Sequence, residues 1–385
     1  MTCNYEIIRT FDTNHPSHQL HLTVRPHKFL SPYLVLAALV ALLGLTLTSQ
    51  AQPNTGPDLP IDAKTRKEVI NSLLTQLNAQ YVFPTTAAQI QRTIQRQLAA
   101  GAYDHITSSQ ELAHTLTTQL REFSHDKHLG LYYQNMPVEA VGSGTKPTPE
   151  EEARRQRFAT SINFGFEKAE RLAGNVGYLR LDGFMPASIA AETATAAMTY
   201  LAHTDALIVD LRYNRGGDPS MVSFLASYFF SPDSVHLNDL YWREGNRTQQ
   251  FWTIAHLPGR RYTDRPVYLL TSSHTFSAGE EFAYDLQSLK RAVVIGEATG
   301  GGANPGGPVR IGKHFAAFIP TGRAINPVTK TNWEGTGVKP NIDALEAEAL
   351  KVAHLAALNN LLSSADNNQT KSELAKAVTQ VTDER

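Results

Sequence analysis

Apolar residues in the first third of the chain recur at helical spacing. Val69, Leu73 and Leu77, with Ile70 and Leu74 beside them, form one stripe. Ile90, Ile94 and Leu98 form a second, and Leu112, Leu116 and Leu120 a third. Asp62 is placed to cap the first helix, Pro84 to stop it and Gly101 to end the second. Ser108 with Glu111 three residues later makes a capping box for the third. The pattern predicts a helical N-terminal domain over residues 62–135. Three short amphipathic helices must bury their stripes against one another and against the domain that follows.

From Asn175 the texture changes. Val176–Leu181, Ala206–Leu211, Val267–Leu270 and Ala292–Ile295 read as strands, the second with a nearly continuous apolar face. Ala187–Leu201, Met221–Phe230 and Ala278–Leu289 read as the helices between them. Strand and helix in alternation predict an α/β core with a largely parallel sheet over residues 173–350. Residues 136–172 read as a connecting segment with one solvated helix, and residues 351–385 as a helix and a polar tail.

Residues 29–47 contain no charge, follow Arg25, His27 and Lys28, and precede the small-x-small triplet Ser49-Gln50-Ala51. Residues 1–51 therefore read as a signal peptide with cleavage near Ala51, and 52–61 as a linker. Retention of 29–47 as a membrane anchor is the second reading. Export to a periplasmic or extracellular space is expected in either case. Cys3 is the only cysteine in 385 residues, so neither a disulfide framework nor a cysteine-rich zinc site can form. Net charge is −1 with no basic block, which speaks against a nucleic-acid partner. The 14 histidines are scattered, without a metal-binding helix motif, and neither a metal nor another cofactor is expected. Oligomeric state has no signature in the chain.

Ser277 stands where the strand Val267–Leu270 gives way to a helix, and Ala278-Gly279 follow it. A serine there gains exposure, and the next N–H can stabilise an oxyanion. Ser-Ala-Gly-Glu also spells a helix N-cap, so that reading stays open on the local sequence. His128 stands at a helix-to-strand turn, where a base could be presented, with His125 as a competitor. Gly216-Gly217 follow the strand that ends in Asp210-Leu211; either could give an oxyanion donor to pair with Ala278. No lysine follows them, and the third glycine of a dinucleotide loop is missing. His274 is close to Ser277 but lies on the turn only three residues before it. Glu280 and Glu281 read as first-turn charges that complement a helix dipole. Trp242, Trp252 and Trp333 read as packing residues, with Trp333 also a candidate pocket wall.

Taken in order, four motifs of the core resemble the tail-specific (C-terminal processing) serine protease family. They are Asp210-Leu211-Arg212-x-Asn214-x-Gly216-Gly217, Thr275-Phe276-Ser277-Ala278-Gly279-Glu280, Gly296-x-x-Thr299-Gly300-Gly301 and Trp333-Glu334-Gly335-x-Gly337-Val338-x-Pro340. Tyr81-Val82-Phe83-Pro84, Asp126-Lys127-His128-Leu129 and Phe164-Gly165-Phe166-Glu167 are similar to the branch named for interphotoreceptor retinoid-binding protein. The resemblance implies a Clp-protease/crotonase-like core of β-β-α units. It implies Ser277 as nucleophile, and Gly216 or Gly217 with Ala278 as the oxyanion hole. Where one branch carries its activating lysine, this chain has Gly302, and Lys290 lies outside the motif. The other branch, with the tricorn core protease, uses histidine and a distal glutamate, whose places here are His128 and Glu334. That branch has a serine beside its histidine; Lys127 stands here, so Ser124 or a water would have to substitute. The function implied is that of an exported serine endopeptidase acting on peptides or proteins. A non-catalytic binder of hydrophobic ligands, as in the retinoid-binding relatives, and an esterase-like hydrolase are the alternatives.

Overall fold

The structure is a computed structural model that describes residues 57–135, 138 and 148–384. The segment read as signal or anchor lies outside the described residues. Among the described residues no helix is long and apolar enough to cross a membrane.

The N-terminal stripes form α1 (Ala63–Gln80), α2 (Pro84–Ala99) and α3 (Ser109–Ser124). Asp62 caps α1 by accepting from the Thr65 N–H at 2.7 Å, and Ser108 caps α3 by accepting from Glu111 at 2.9 Å. Pro84 does not act by stopping α1, which ends at Gln80; it is the first residue of α2, where its missing N–H costs nothing. Gly130–Tyr133 forms β1. The helices do not close on themselves. Their stripes pack on a hairpin that the chain supplies nearly two hundred residues later, β9 (Gly306–Gly312) and β10 (Phe315–Pro320), which pairs with β1 as a three-stranded sheet. Ile311, Phe315, Ala317 and Ile319 of the hairpin complete the core around Leu73, Ile94 and Leu116.

After α4 (Pro149–Ser161) the core begins with β2 (Phe166–Leu172), β3 (Val176–Leu181), α5 (Ala187–Leu201) and β4 (Ala206–Asp210). It continues through α6 (Pro219–Ala226), β5 (His236–Trp242), β6 (Arg247–Trp252) and β7 (Val267–Thr271). Then come α7 (Ala278–Ser288), β8 (Val293–Gly296), β11 (Gly322–Ile325) and β12 (Ile342–Asp343). A six-stranded sheet has the order β12-β8-β7-β4-β3-β2; all its pairs are parallel except β2 with β3. A second three-stranded antiparallel sheet has the order β11-β5-β6. Every residue of β4 and β7 is buried, as expected of parallel strands covered on both faces. Leu207, Val209 and Leu269 face α5, α6 and α7, while Ile208, Tyr268 and Leu270 face two helices after the sheet, α8 (Ala349–Ser364) and α9 (Asn368–Asp383). The polar tail is thus the ordered helix α9, capped by Asn367 and buried at Leu374, Ala377 and Val381.

Leu358 on α8 is fully buried between sheet and α9, next to Gly174. Leu358→Ala should cost about 2–5 kcal/mol of unfolding free energy, measured by denaturant titration.

Candidate active site

Two loops leave the carboxyl ends of the adjacent parallel strands β4 and β7, the usual place for a site in an open α/β sheet. The first, residues 211–218, carries the glycine pair. The second, residues 272–277, carries the serine. Asp210 and Arg212 lock the base of the first loop: Arg212 binds Asp210 through Nε (2.9 Å) and Nη2 (2.6 Å), and Tyr178 adds its hydroxyl at 2.7 Å. Ser272 Oγ and Thr275 Oγ1 then tie the second loop to the first through the carbonyls of Arg212 and Leu211. Asn214 is fully buried and finishes the joint. Its Nδ2 donates to Leu181 O, its Oδ1 accepts from Gly216 N (2.9 Å), and its carbonyl accepts from Phe276 N (3.0 Å).

Ser277 adopts φ 54°, ψ −122°, outside the regions open to an ordinary side chain. Such a residue costs about 1–3 kcal/mol and persists only where neighbours over-determine it. Glu280 does so. Its carboxylate is completely buried and accepts from Ser277 N (2.8 Å), Gly302 N (2.8 Å), Gly301 N (2.6 Å) and Thr299 Oγ1 (2.5 Å). Burial raises its pKa to about 7, against the pull of those donors. Glu280 is therefore more than a first-turn charge, and the same holds for Glu281, which is also buried. The structure makes Ser277 the N-cap residue of α7 as well, and the two local readings are not exclusive.

Gly216 and Gly217 have φ 98° and 144°. A side chain at Gly216 would put its first carbon 2.7 Å from Ser277 Cβ; one at Gly217 would come within 2.0 Å of Phe184 O. The N–H of Gly216 is taken by Asn214. Those of Gly217 and Ala278 make no hydrogen bond among the described residues. Gly217, Ser277 and Ala278 share the wall of one narrow, half-open pocket.

His128 enters from the N-terminal domain. Asp126 fixes its backbone by accepting the His128 N–H at 3.0 Å, and is itself held by Tyr81 OH (3.1 Å) and Asn304 Nδ2 (2.9 Å). The imidazole lies against Phe276, the neighbour of Ser277, at 4.5 Å between ring centroids, and stacks on Phe318 of β10 at 5.6 Å. Its Nδ1 is buried without a partner. Burial, with Arg121 adding to it, pushes the His128 pKa down to about 4. Glu334 accepts from Ala303 N (2.6 Å) and Lys127 N (3.4 Å). Burial first and the nearby Asp126 second raise the Glu334 pKa to about 8. Oxygens of Asp126 and Glu334 and a nitrogen of His128 lie within 4.8 Å of one another, the one cluster of potential metal ligands among the described residues. Neither Ser277 nor Glu334 is hydrogen-bonded to His128.

The remaining candidates fall outside this group. His274 is partly exposed, between Arg215 and Glu346. His125 is an exposed left-handed cap of α3. Ser124 spends its hydroxyl on Leu120 O and Asp126 N. Lys127 turns its ammonium to Gly300 O. Lys290 is exposed. A side chain at Gly302 would bring its first carbon within 2.3 Å of Phe276 Cζ and 2.7 Å of His128 Cε1, so a lysine there is incompatible with this arrangement. Trp333 is both packing and pocket wall, donating its Nε1–H to Gly302 O at 2.7 Å. The positioning roles of Asn214, Glu280 and Asp126 have only a weak sequence signal, their place inside motifs whose visible residues are glycine, serine and histidine.

Residues 175–344 match peptidase family S41, and residues 63–167 match the N-terminal domain of peptidase S41 in eukaryotic IRBP. A carboxyl-terminal-processing protease of Synechocystis sp. is 30% identical over 166 residues, which cover 43% of this chain and 37% of that protein. The chain thus spans well under half of the curated relative it matches. Among solved structures, a candidate peptidase from Parabacteroides merdae superposes with a TM-score of 0.54 at 17% identity, covering 78% of this chain and 99% of the other. Mature CPAF gives a TM-score of 0.50 at 13% identity, covering 77% and 97%. The α/β fold is shared with both, and the two matched segments together take in the helical domain and nearly all of the sheet. By sequence and by fold, the chain belongs to peptidase family S41, a family of serine peptidases.

Proposed function

We propose that this protein is an exported serine endopeptidase in which Ser277 is the nucleophile, His128 its base and Glu334 the group that steadies the base. The observation that carries the reading is the shared pocket wall: a serine in a strained turn flanked by two unengaged N–H groups, Gly217 and Ala278. A serine hydroxyl is a weak nucleophile near neutrality. His128, neutral over the working pH range, takes its proton as Oγ attacks the peptide carbonyl and returns it to the leaving amine. The N–H groups of Gly217 and Ala278 receive the negative charge on the tetrahedral oxygen; losing one such donor usually costs about 3 kcal/mol. Glu334 lies close to the imidazole without yet bonding it, and such bonds commonly tighten only when substrate fills the site. Glu280 is a positioning residue: it binds the Ser277 backbone to the loop that approaches His128. Export rests on the charge-free stretch 29–47. The apolar-ligand alternative is less well served by the pocket, which is narrow and has Glu281 in its wall.

Four outcomes are expected. A fluorophosphonate should label the wild type at Ser277, and Ser277→Ala or His128→Ala should lose the label; a folded wild type that does not label would overturn the reading. With peptide substrate, kcat/KM should rise with pH through about 8, because protonated Glu334 cannot balance an imidazolium. That rise should vanish in Glu334→Gln and move to lower pH in Asp126→Asn, since removing a neighbouring negative charge eases ionisation. Glu280→Gln puts an NH2 group against N–H donors; it should cost about 2–4 kcal/mol of stability by denaturant titration and slow labelling of Ser277.

A further inference from the structure

The pocket beside Ser277 has an uneven wall. Leu240, Pro219, Ala324 and Trp333 give it apolar surface, and Glu281 also lines it. Glu281 is only 6% exposed. One carboxylate oxygen, Oε1, accepts from Asn238 Nδ2 at 3.1 Å; the other has no hydrogen-bond partner among the described residues. One helical turn on, Asp285 is buried, bonded to Asn326 Nδ2 at 3.0 Å through one oxygen and without a partner at the other. Asp218, at the start of α6, is a third acid, and its charge acts on Glu281. No ion pair among the described residues brings a lysine, arginine or histidine to any of the three. A buried carboxylate without a partner is unfavourable unless a proton or a cation neutralises it.

We propose that the substrate supplies the cation: Glu281 is the specificity-determining residue of this pocket, which receives a lysine side chain from the residue on the acyl side of the scissile bond. The inference rests on Ser277 being the nucleophile. A peptide carbonyl held between Ser277 and the N–H groups of Gly217 and Ala278 directs the side chain of its own residue into the cavity those groups border. The apolar walls suit the four methylenes of a lysine, and its ammonium would meet the free oxygen of Glu281. Arginine fits less well. Its planar guanidinium is wider than an ammonium and the pocket is narrow, whereas an ammonium is a compact point charge that one oxygen can serve. Burial, followed by Asp218, raises the Glu281 pKa to about 7, and a bound cation acts in the opposite direction by holding the carboxylate ionised.

The test uses the purified protein and fluorogenic peptides at pH 8 that differ only in the residue before the scissile bond: lysine, arginine, norleucine, alanine or glutamine. Norleucine keeps the stem and removes the charge. The wild type should favour lysine over norleucine roughly tenfold or more in kcat/KM, and Glu281→Gln should bring that ratio close to one. The ratio is read rather than the absolute rate. Cleavage that depends on Ser277 but prefers norleucine or alanine would overturn the proposal, as would a lysine preference left intact in a folded Glu281→Gln. Should that variant fail to fold, the wild-type profile decides alone. If neither labelling nor cleavage depends on Ser277, the peptidase reading itself falls. Fluorophosphonate labelling identifies that case separately, because the probe carries no residue to select.

Discussion

A buried carboxylate holds this site together. Glu280 accepts two backbone N–H bonds from the loop at 301–302, a hydroxyl bond from Thr299, and the N–H of Ser277 itself. Each donor alone is worth about a kilocalorie, somewhat more where the acceptor is charged. Together they offset the cost of placing a non-glycine residue at φ 54°, ψ −122°. The strain presents the serine side chain to the pocket and leaves the following N–H unused. Asn214 supplies the complementary support from the glycine loop, taking the N–H of Gly216 and leaving that of Gly217 free.

The second half of the site comes from a different part of the chain. The three N-terminal helices cannot bury their stripes unaided, and the hairpin β9–β10 gives them a surface. That hairpin follows directly from the loop Glu280 holds, and Phe318 on it stacks against His128. Hydrophobic burial in the helical domain and the placement of the imidazole are thus one packing event. Asp126 carries the coupling to atomic precision, because it binds the His128 backbone, Tyr81 of the helical domain and Asn304 of the core loop at once.

Charge in the region is arranged unevenly. Asp126 and Glu334 crowd the imidazole, and burial raises both carboxyl pKa values while lowering that of His128. On the other side of Ser277 the wall of the pocket holds Glu281, with Asp285 behind it. Raised carboxyl pKa values mean that a proton neutralises part of this acid surplus near neutrality.

Much of this was legible in the residues. Helical stripes, capping residues and continuous apolar strands set element type, because side-chain period follows backbone geometry directly. Ser277, the glycine pair and His128 stand out as candidates because nucleophiles, tight turns and bases need particular residue types. Local reading went astray where a residue's role depends on its distant partners. Pro84 reads as a stop but opens α2, since α1 has already ended at Gln80 and a proline is tolerated at the first position of a helix. Glu280 and Glu281 look like solvated first-turn charges; both are buried by strands and loops far away in sequence. Which of Gly216 and Gly217 keeps a free N–H was decided by Asn214, and the exclusion of a side chain at 302 by the rings of Phe276 and His128. Sequence by itself determined the elements and the kinds of chemistry on offer, because those depend on local geometry and residue type. Only the tertiary structure decided which polar groups are satisfied, buried or left facing a pocket, because those properties belong to contacts between segments as far as 207 residues apart in the chain.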